Sequence, residues 1–234
     1  IIHLAAETHV DRSIDGPEVF LNSNIFGTYN LLNSFKNYYE EISDKNKEYF
    51  KFLLVSTDEV YGSLDSNQDQ FTESSPYLPN SPYSASKASS DHLARAWNST
   101  YNLPVLITNT SNNYGPWQFP EKLIPLTISK CLNNEKIPVF GNGQQIRDWI
   151  FVSDHVNGIL SVLENGSIGE KYNIGSNNEK MNIEVVNDIC DFLDKKIPSK
   201  NSYSNLIEFV DDRPGHDYRY ALNSKKIQKI GWKP

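Results

Sequence analysis

Short apolar runs alternate with amphipathic segments along this chain. The runs at 50–56, 103–108 and 171–174 are typical of buried parallel strands, and similar runs lie at 1–6 and 147–152. Helices are predicted at about 17–39, 82–101, 120–134, 153–165 and 182–195, with a polar loop at 62–82 and irregular structure at 109–120. This alternation predicts an α/β fold built on a doubly wound parallel sheet.

The composition of the chain limits the kinds of molecule that it can bind. The 234 residues carry a net charge of −7, which disfavours a nucleic-acid or acidic-membrane binder, since such partners need a basic face. No apolar run approaches the roughly 18–20 residues of a membrane span. Cys131 and Cys190 provide neither a disulfide framework nor a metal-ligand spacing, so we expect no metal site. With no secretion signal visible, we expect a cytoplasmic protein.

The start of the chain carries an expectation of its own. The only methionine is Met181, and the first residues have the character of a buried core strand that runs into a turn of small residues. Because a domain rarely begins with a strand from the middle of its core, we expect the first strands of the sheet to precede Ile1.

Candidate chemistry follows the strand at 50–56. Thr57, Asp58 and Glu59 come directly after it, where ligands bind in open α/β sheets, and two carboxyls there can divide acid and base work. Tyr83 and Lys87 lie one helical turn apart at the start of the next helix, and a nearby ammonium favours a phenolate. A solvated Asp-Glu pair on a loop is the plain alternative.

These segments resemble the extended short-chain dehydrogenase/reductase family. Within it they are similar to the nucleoside-diphosphate-glucose 4,6-dehydratases, and the Thr-Asp-Glu triplet is what points to a dehydratase. The segments that carry the resemblance are Leu4–Ser13, Ser56–Gly62, Tyr83–Lys87, Thr110–Pro116, Gln145–Trp149 and Asp212–His216. The family's Gly-x-x-Gly-x-x-Gly phosphate loop is not found in this chain, because Gly141-Asn142-Gly143 lacks the third glycine and a following helix.

The resemblance implies a Rossmann-like NAD-binding domain, partial here, and a smaller nucleotide-sugar-binding domain, also partial. The first takes residues 1–113 and about 146–175, and the second takes about 114–145 and 176–234. It implies NAD as the cofactor. The positions matched to cofactor binding are Leu4, Ala5, Ala6, Glu7, Thr8, Ser23, Tyr83, Lys87 and Asn113.

The resemblance also implies a reaction. Tyr83, supported by Thr57 and Lys87, assists oxidation of a hexose at C4 by NAD; Glu59 then removes the C5 proton and Asp58 protonates the departing 6-hydroxyl. The hydride returns to C6, which leaves a 4-keto-6-deoxy sugar of the kind used in rhamnose-type deoxysugar biosynthesis. The positions matched to nucleotide-sugar binding are Thr8, Thr57, Asn112, Lys122, Leu123, Pro138, Val139, Phe140, Arg147, Asn182, Arg213 and His216.

Several alternatives stay open at this stage. The implied substrate is dTDP-glucose, with UDP-glucose as the alternative nucleotide sugar. A related epimerase or decarboxylase would share Tyr83 and Lys87 without needing the Asp58-Glu59 pair, and a non-catalytic nucleotide-sugar-binding homologue is the alternative from another class. The resemblance also implies a homodimer through a four-helix contact that uses the helices near 17–39 and 82–101.

Overall fold

The computed structural model describes all residues, 1–234. Its strands are β1 (Ile2–His3), β2 (Phe52–Thr57), β3 (Val105–Thr110), β4 (Asn112–Tyr114), β5 (Ile137–Phe140), β6 (Ile146–Phe151), β7 (Lys171–Ile174), β8 (Glu179–Met181) and β9 (Ile207–Val210). Its α-helices are α1 (Val10–Asp15), α2 (Pro17–Phe20), α3 (Gly27–Glu41), α4 (Asp44–Lys47), α5 (Pro82–Tyr101), α6 (Leu123–Leu132), α7 (Val152–Asn165), α8 (Asn182–Lys196) and α9 (Lys225–Gln228). A π-helical segment, Leu21–Phe26, joins α2 to α3.

The main sheet has four parallel strands in the order β1-β2-β3-β7. Side chains of β2 alternate between its two faces, and all six of its residues are buried. Phe52 and Leu54 pack with Leu32 and Phe35 of α3, whereas Leu53 packs in a second core cluster on the opposite face. Burial on both faces explains why β2 is apolar throughout, and it confirms the predicted doubly wound α/β fold.

Helix α5 begins where the polar loop at 62–81 ends. Ser81 caps it in a reciprocal arrangement: the Ser81 hydroxyl accepts from the Ser84 backbone N–H at 3.1 Å, and the Ser84 hydroxyl accepts from the Ser81 backbone N–H at 3.0 Å. Pro82 occupies the first helical turn, where its missing N–H costs nothing. The cap determines where Tyr83 and Lys87 stand relative to the end of β2.

A second, smaller core lies around β5 and β9, which pair in parallel. Helices α6 and α8 cover this pair, and Cys131, Val139, Val186 and Cys190 fill its interior. The sequence pattern did not predict β5 or β9, because each is only four residues long, β5 contains Pro138, and their partners are about 70 positions apart.

The remaining elements follow the predicted order with shifted ends. Strand β3 starts two residues later than predicted, after Pro104, and β4 falls inside the segment expected to be irregular, where it pairs with β6. No helix is long and apolar enough to cross a membrane.

A short 3₁₀ helix, Asp58–Tyr61, follows β2 and ends at Gly62, which has a φ of +87°. An added Cβ would clash with the carbonyl oxygen of Leu78. We therefore expect Gly62→Ala to lower the free energy of unfolding by about 2 kcal/mol or more.

Gly231→Ala is the matched control for this variant. Gly231 also has a positive φ, +100°, but no atom lies within 4 Å of the added methyl group. It should cost only the backbone strain, about 1 kcal/mol. Equal losses for the two variants in urea unfolding would show that the contact with Leu78 is unimportant.

Candidate active site

A cavity of about 310 Å³ opens between the carboxyl ends of the main sheet and the smaller core. It is lined by side chains from both, so neither unit forms it alone. Every position matched to nucleotide-sugar binding lines it except Thr57. Of the remaining matched positions, Glu59 and Asn113 also reach its wall.

Asp58 and Glu59 follow β2 in different environments, because Glu59 lines the cavity and Asp58 does not. Asp58 is buried; its Oδ1 accepts from the Thr57 hydroxyl at 3.2 Å, and its Oδ2 has no partner. Burial raises the pKa of Asp58 well above its ordinary value, and the negative charge of Glu59 raises it further against the opposing effect of Arg147.

Glu59 faces the cavity. Burial raises its pKa too, but three cations, Arg147, Lys122 and Arg213, oppose the rise. The adjacent carboxyls are therefore pushed apart, with Asp58 biased toward the protonated form and Glu59 held closer to the carboxylate. This is the division of labour that an acid and a base working together need.

Tyr83 and Lys87 stand on α5 beside the end of β2. Burial raises the pKa of Tyr83, and the charge of Glu59 adds to the rise, while a hydrogen bond with Thr57 opposes it. The chain by itself thus favours the neutral phenol, so the ammonium of Lys87, which was expected to favour the phenolate, does not offset burial and Glu59 without further positive charge. Lys87 is buried, and its Nζ donates to the carbonyl oxygen of Val55 at 2.9 Å.

The segment matched to cofactor binding follows β1. Asn24 fixes it by accepting from the Glu7 backbone N–H at 2.9 Å and donating to the Glu7 carbonyl at 3.0 Å. Asn24 also donates to the Ser86 hydroxyl on α5 at 2.8 Å, which ties the segment to the helix of Tyr83. Leu4, Ala5 and Thr8 are exposed, Ala6 and Glu7 are half-buried, and Ser23 is exposed on the π-helical segment.

Arg147 is held more firmly than the sequence suggested. Its guanidinium lies 4.2 Å from the Tyr220 ring centre and donates to the carbonyl oxygens of Ile146, Asp217 and Tyr218 at 2.8, 3.0 and 3.3 Å. These contacts use part of its donor set, so its position is fixed before any ligand arrives. Its charge is directed toward Glu59 and Asp58 as well as the cavity.

Arg213 and Lys122 provide more positive charge on the cavity wall. Arg213 lies over the Phe140 ring at 4.6 Å and is 3.2 Å from the Asp11 carboxylate. The Nζ of Lys122 donates to the Thr8 carbonyl at 3.0 Å, which links α6 to the segment after β1. His216 contacts Asp212 at 2.6 Å beside the same phenylalanine.

Sequence analysis missed several wall residues. Tyr220 donates to the Asp217 carboxylate at 2.5 Å, and Glu121 receives Arg12 at 2.6 Å; both acids line the cavity. The sequence could have indicated these two acids by their position, since Glu121 precedes Lys122 and Asp217 follows His216. Tyr220 had no local signal, because its partner Arg147 lies 73 positions away and only folding brings the two together.

The parallel sheet, the site at its carboxyl edge and the Tyr-x-x-x-Lys helix define a Rossmann-like nucleotide-sugar enzyme of the short-chain dehydrogenase/reductase class. A family model described as GDP-mannose 4,6 dehydratase matches residues 1–234, and the chain belongs to that family. The chain is 54% identical to a dTDP-glucose 4,6-dehydratase of Escherichia coli and to another of Neisseria meningitidis. Each comparison covers 100% of this chain and 67% of the relative.

Solved structures give the same grouping. A dTDP-glucose 4,6-dehydratase of Streptomyces venezuelae, solved with NAD bound, matches with a TM-score of 0.90 and 44% identity over 100% of this chain and 67% of that one. A UDP-glucose 4-epimerase of Thermus thermophilus in complex with NAD matches with a TM-score of 0.85 and 25% identity over 100% of this chain and 71% of that one. The fold is shared with both, whereas sequence identity is much higher with the dehydratase.

The burial of Asp58 predicts a pH-dependent stability change. Its pKa is higher in the folded than in the unfolded chain, so its unfavourable contribution is absent below the unfolded pKa and grows as pH rises. We expect Asp58→Asn to raise the free energy of unfolding by about 1 kcal/mol at pH 7.

The gain should shrink as pH falls toward 4, which urea unfolding across that range can measure. Asp69→Asn is the control, because the Asp69 side chain is exposed and its charge costs little. A variant no more stable than its parent at pH 7 would contradict the assigned environment of Asp58.

Proposed function

We propose that this chain catalyses the dehydration of dTDP-glucose to dTDP-4-keto-6-deoxyglucose, as an NAD-dependent hydro-lyase of deoxysugar biosynthesis. One observation carries the proposal: adjacent Asp58 and Glu59 at the end of β2 have environments that separate acid from base, beside Tyr83. An epimerase has no use for such a pair. The high identity to dTDP-glucose 4,6-dehydratases supports the same substrate.

The residues present fit NAD. The carboxamide oxygen of Asn113 is buried without a partner, and exposed Leu4 and Ala5 follow β1 at the carboxyl edge of the sheet, where dinucleotides bind in this fold class. Together with Ala6, Glu7, Thr8, Ser23, Tyr83 and Lys87, these residues would form part of the cofactor site, whose phosphate loop is not found in this chain. When bound, NAD accepts a hydride from C4 of the sugar and later returns it to C6.

Tyr83 is the group we assign to the proton of the 4-hydroxyl. Its pKa is raised in the chain alone by burial and by Glu59, so its activation depends on positive charge nearby. Lys87, one turn along α5, provides a fixed ammonium, and Thr57 at the end of β2 lowers the pKa of the phenol. Thr57 also contacts Asp58, so it connects the oxidation and elimination steps.

Glu59 and Asp58 are the groups we assign to elimination. Glu59 faces the cavity near Arg147, Lys122 and Arg213, whose charges favour the carboxylate required to remove the C5 proton. Asp58 has an unpartnered Oδ2 and a strongly raised pKa, so it holds a proton for the departing 6-hydroxyl. The C5–H and C6–O bonds break, a C5=C6 bond forms, and water leaves.

The nucleotide sugar is proposed to span the two units. Arg213 and Lys122 carry the charge that suits a diphosphate, while Asn112 and Asn182 offer amide groups and Pro138, Val139 and Phe140 an apolar wall. The division we propose is 1–113 with 146–175 and 114–145 with 176–234, and the separate core around β5 and β9 supports it. Ile227 and Trp232, however, pack against the main sheet.

Assembly is inferred from apolar side chains on the helix surfaces. Val19, Phe26 and Tyr29 leave large apolar groups exposed on the helices near 17–39, and Tyr101 does so on α5. Packing these faces against a second copy would bury them in a four-helix contact, so we propose a homodimer. We also propose a cytoplasmic enzyme.

Removal of the base tests the elimination step. In the protein expressed from its complete gene, Glu59→Gln keeps the shape but cannot accept the C5 proton. We expect dehydration of dTDP-glucose, and deuterium incorporation at C5 from D₂O, to fall by about 10²-fold or more. Glu41→Gln, an exposed change on α3, should leave both unchanged. Undiminished deuterium incorporation in the Glu59 variant would refute its role.

Removal of the phenol tests the oxidation step. Tyr83→Phe keeps the ring in its buried place but has no group to take the hydroxyl proton. We expect the absorbance of enzyme-bound reduced cofactor after mixing with dTDP-glucose to form at least about 10²-fold more slowly. An unchanged rate would remove Tyr83 from the oxidation step.

Parallel assays with dTDP-glucose and UDP-glucose test the substrate. Formation of a 4-keto-6-deoxy product should be faster with dTDP-glucose at equal low concentrations. Turnover of UDP-glucose alone would replace the proposed nucleotide, and turnover of neither would overturn the proposed function.

A further inference from the structure

Asp91 is a buried acid that the proposed reaction does not use. It lies on α5, one turn beyond Lys87, and is only 2% exposed. Its Oδ1 has no hydrogen-bond partner. A carboxyl group withdrawn so fully from water requires compensation, so its surroundings indicate what it does.

The Oδ2 atom of Asp91 accepts two hydrogen bonds. The Tyr77 hydroxyl donates at 2.8 Å, and the side-chain amide of Asn109 donates at 3.1 Å. The same amide group donates to the carbonyl oxygen of Thr57 at 3.2 Å. Burial raises the pKa of Asp91, and Lys87 together with these two donors opposes the rise by favouring the carboxylate. The hydrogen bonds of Asn109 also connect Asp91 to the backbone of the turn that carries the acid and the base.

Lys87 is the nearest basic group on the same helix face. Tyr83, Lys87 and Asp91 are spaced by four residues each, so they lie in one row along α5. Lys87 is 4% exposed, and its Nζ has only the Val55 carbonyl as a hydrogen-bond partner. A neutral carbonyl alone does not offset the cost of burying an ammonium.

We propose that Asp91 is a positioning residue: it is the buried counter-ion that keeps Lys87 protonated, and through Asn109 it fixes the Thr57 backbone. The proposal rests on the proposed function for the role of Lys87, and it adds the group on which the charge of that lysine depends.

The surrounding charges agree with this assignment. Burial lowers the pKa of Lys87, and Asp91 is the group that raises it. His3 of β1 faces Lys87, but burial and Lys87 lower its pKa to about 4, so it stays neutral. The other titratable groups that couple to Asp91 or share its cavity are Tyr61, Glu73, Tyr77, Tyr83, His92, Arg95, Glu170, Lys171 and Lys226.

Lys171 of β7 is a cation that competes with Lys87 for Asp91. It lines a second cavity with Asp91, of about 390 Å³, which shares no lining residue with the substrate cavity. Its Nζ lies 4.2 Å from the Tyr77 ring centre, and burial lowers its pKa against the effect of Asp91. Lys171→Met therefore distinguishes the effect of Asp91 on Lys87 from its effect on Lys171 in the experiment.

The test is a pH titration of lysine ¹³Cε signals by NMR in the protein without ligand, which needs no turnover. Asp91→Asn keeps the shape and the acceptor for Tyr77 and Asn109 but removes the charge. We expect the Lys87 signal to titrate at clearly lower pH in this variant. Tyr77→Phe removes a hydrogen bond but leaves the charge, and Lys171→Met removes the competing cation, so neither should lower the Lys87 titration. A Lys87 curve unchanged by Asp91→Asn overturns the proposal.

Linkage provides a second arm that does not depend on the folding of the Asp91 variant. Lys87→Met must raise the pH at which the Asp91 ¹³Cγ signal titrates, by the same amount that Asp91→Asn lowers the Lys87 titration. An Asp91 signal that does not respond to Lys87→Met also overturns the proposal.

Activity gives a further readout. In Asp91→Asn, the alkaline limb of the kcat profile should move to lower pH, with KM for dTDP-glucose little changed and kcat at pH 8 reduced about tenfold. A lower maximal kcat with the alkaline limb at its original pH would indicate that Asp91 has a structural role only. If no variant dehydrates dTDP-glucose but the titrations shift as expected, the proposed function fails and the electrostatic coupling between Asp91 and Lys87 stands.

Discussion

Several ionisable side chains are buried together at the end of β2, and the site depends on how their charges are compensated. Asp58, Glu59 and Lys87 lie within one small region of low dielectric, where each isolated charge would be costly. Compensation is uneven. Glu59 faces cations and Asp58 has few, so two chemically equivalent carboxyls acquire different proton affinities from their surroundings alone.

Hydrogen bonds and stacking contacts hold the charged groups in place, so the difference between the two carboxyl environments is preserved. Arg147 donates to three backbone carbonyls and stacks on Tyr220, so its charge is held in place. The Ser81 cap and Pro82 determine the position of Tyr83, and Asn24 ties the segment after β1 to the same helix. Charges that are preorganised in this way need no rearrangement when the substrate develops charge during reaction.

The sequence by itself determined the class of fold and the chemical groups of the site. Apolar runs at β2, β3 and β7 and the amphipathic segments between them are local patterns, and hydrophobic burial converts such patterns into a layered sheet whatever the loops contain. Local order also placed Asp58 and Glu59 after a strand and Tyr83 and Lys87 on one helix face. The cavity-lining positions from Asn112 to His216 came from resemblance, with no local physical signal.

Only the tertiary structure determined which protonation states these groups favour. It also determined the second core. Lys87 was expected to favour the phenolate of Tyr83, yet burial and Glu59 favour the neutral phenol in the chain by itself. Strands β5 and β9 were missed because each is short and is stable only through the other. The Arg147–Tyr220 stack and the contact between Asp91 and Asn109 likewise join distant segments. Desolvation and charge coupling depend on distances between atoms in the folded chain. The order of residues along the sequence does not determine those distances by any local pattern.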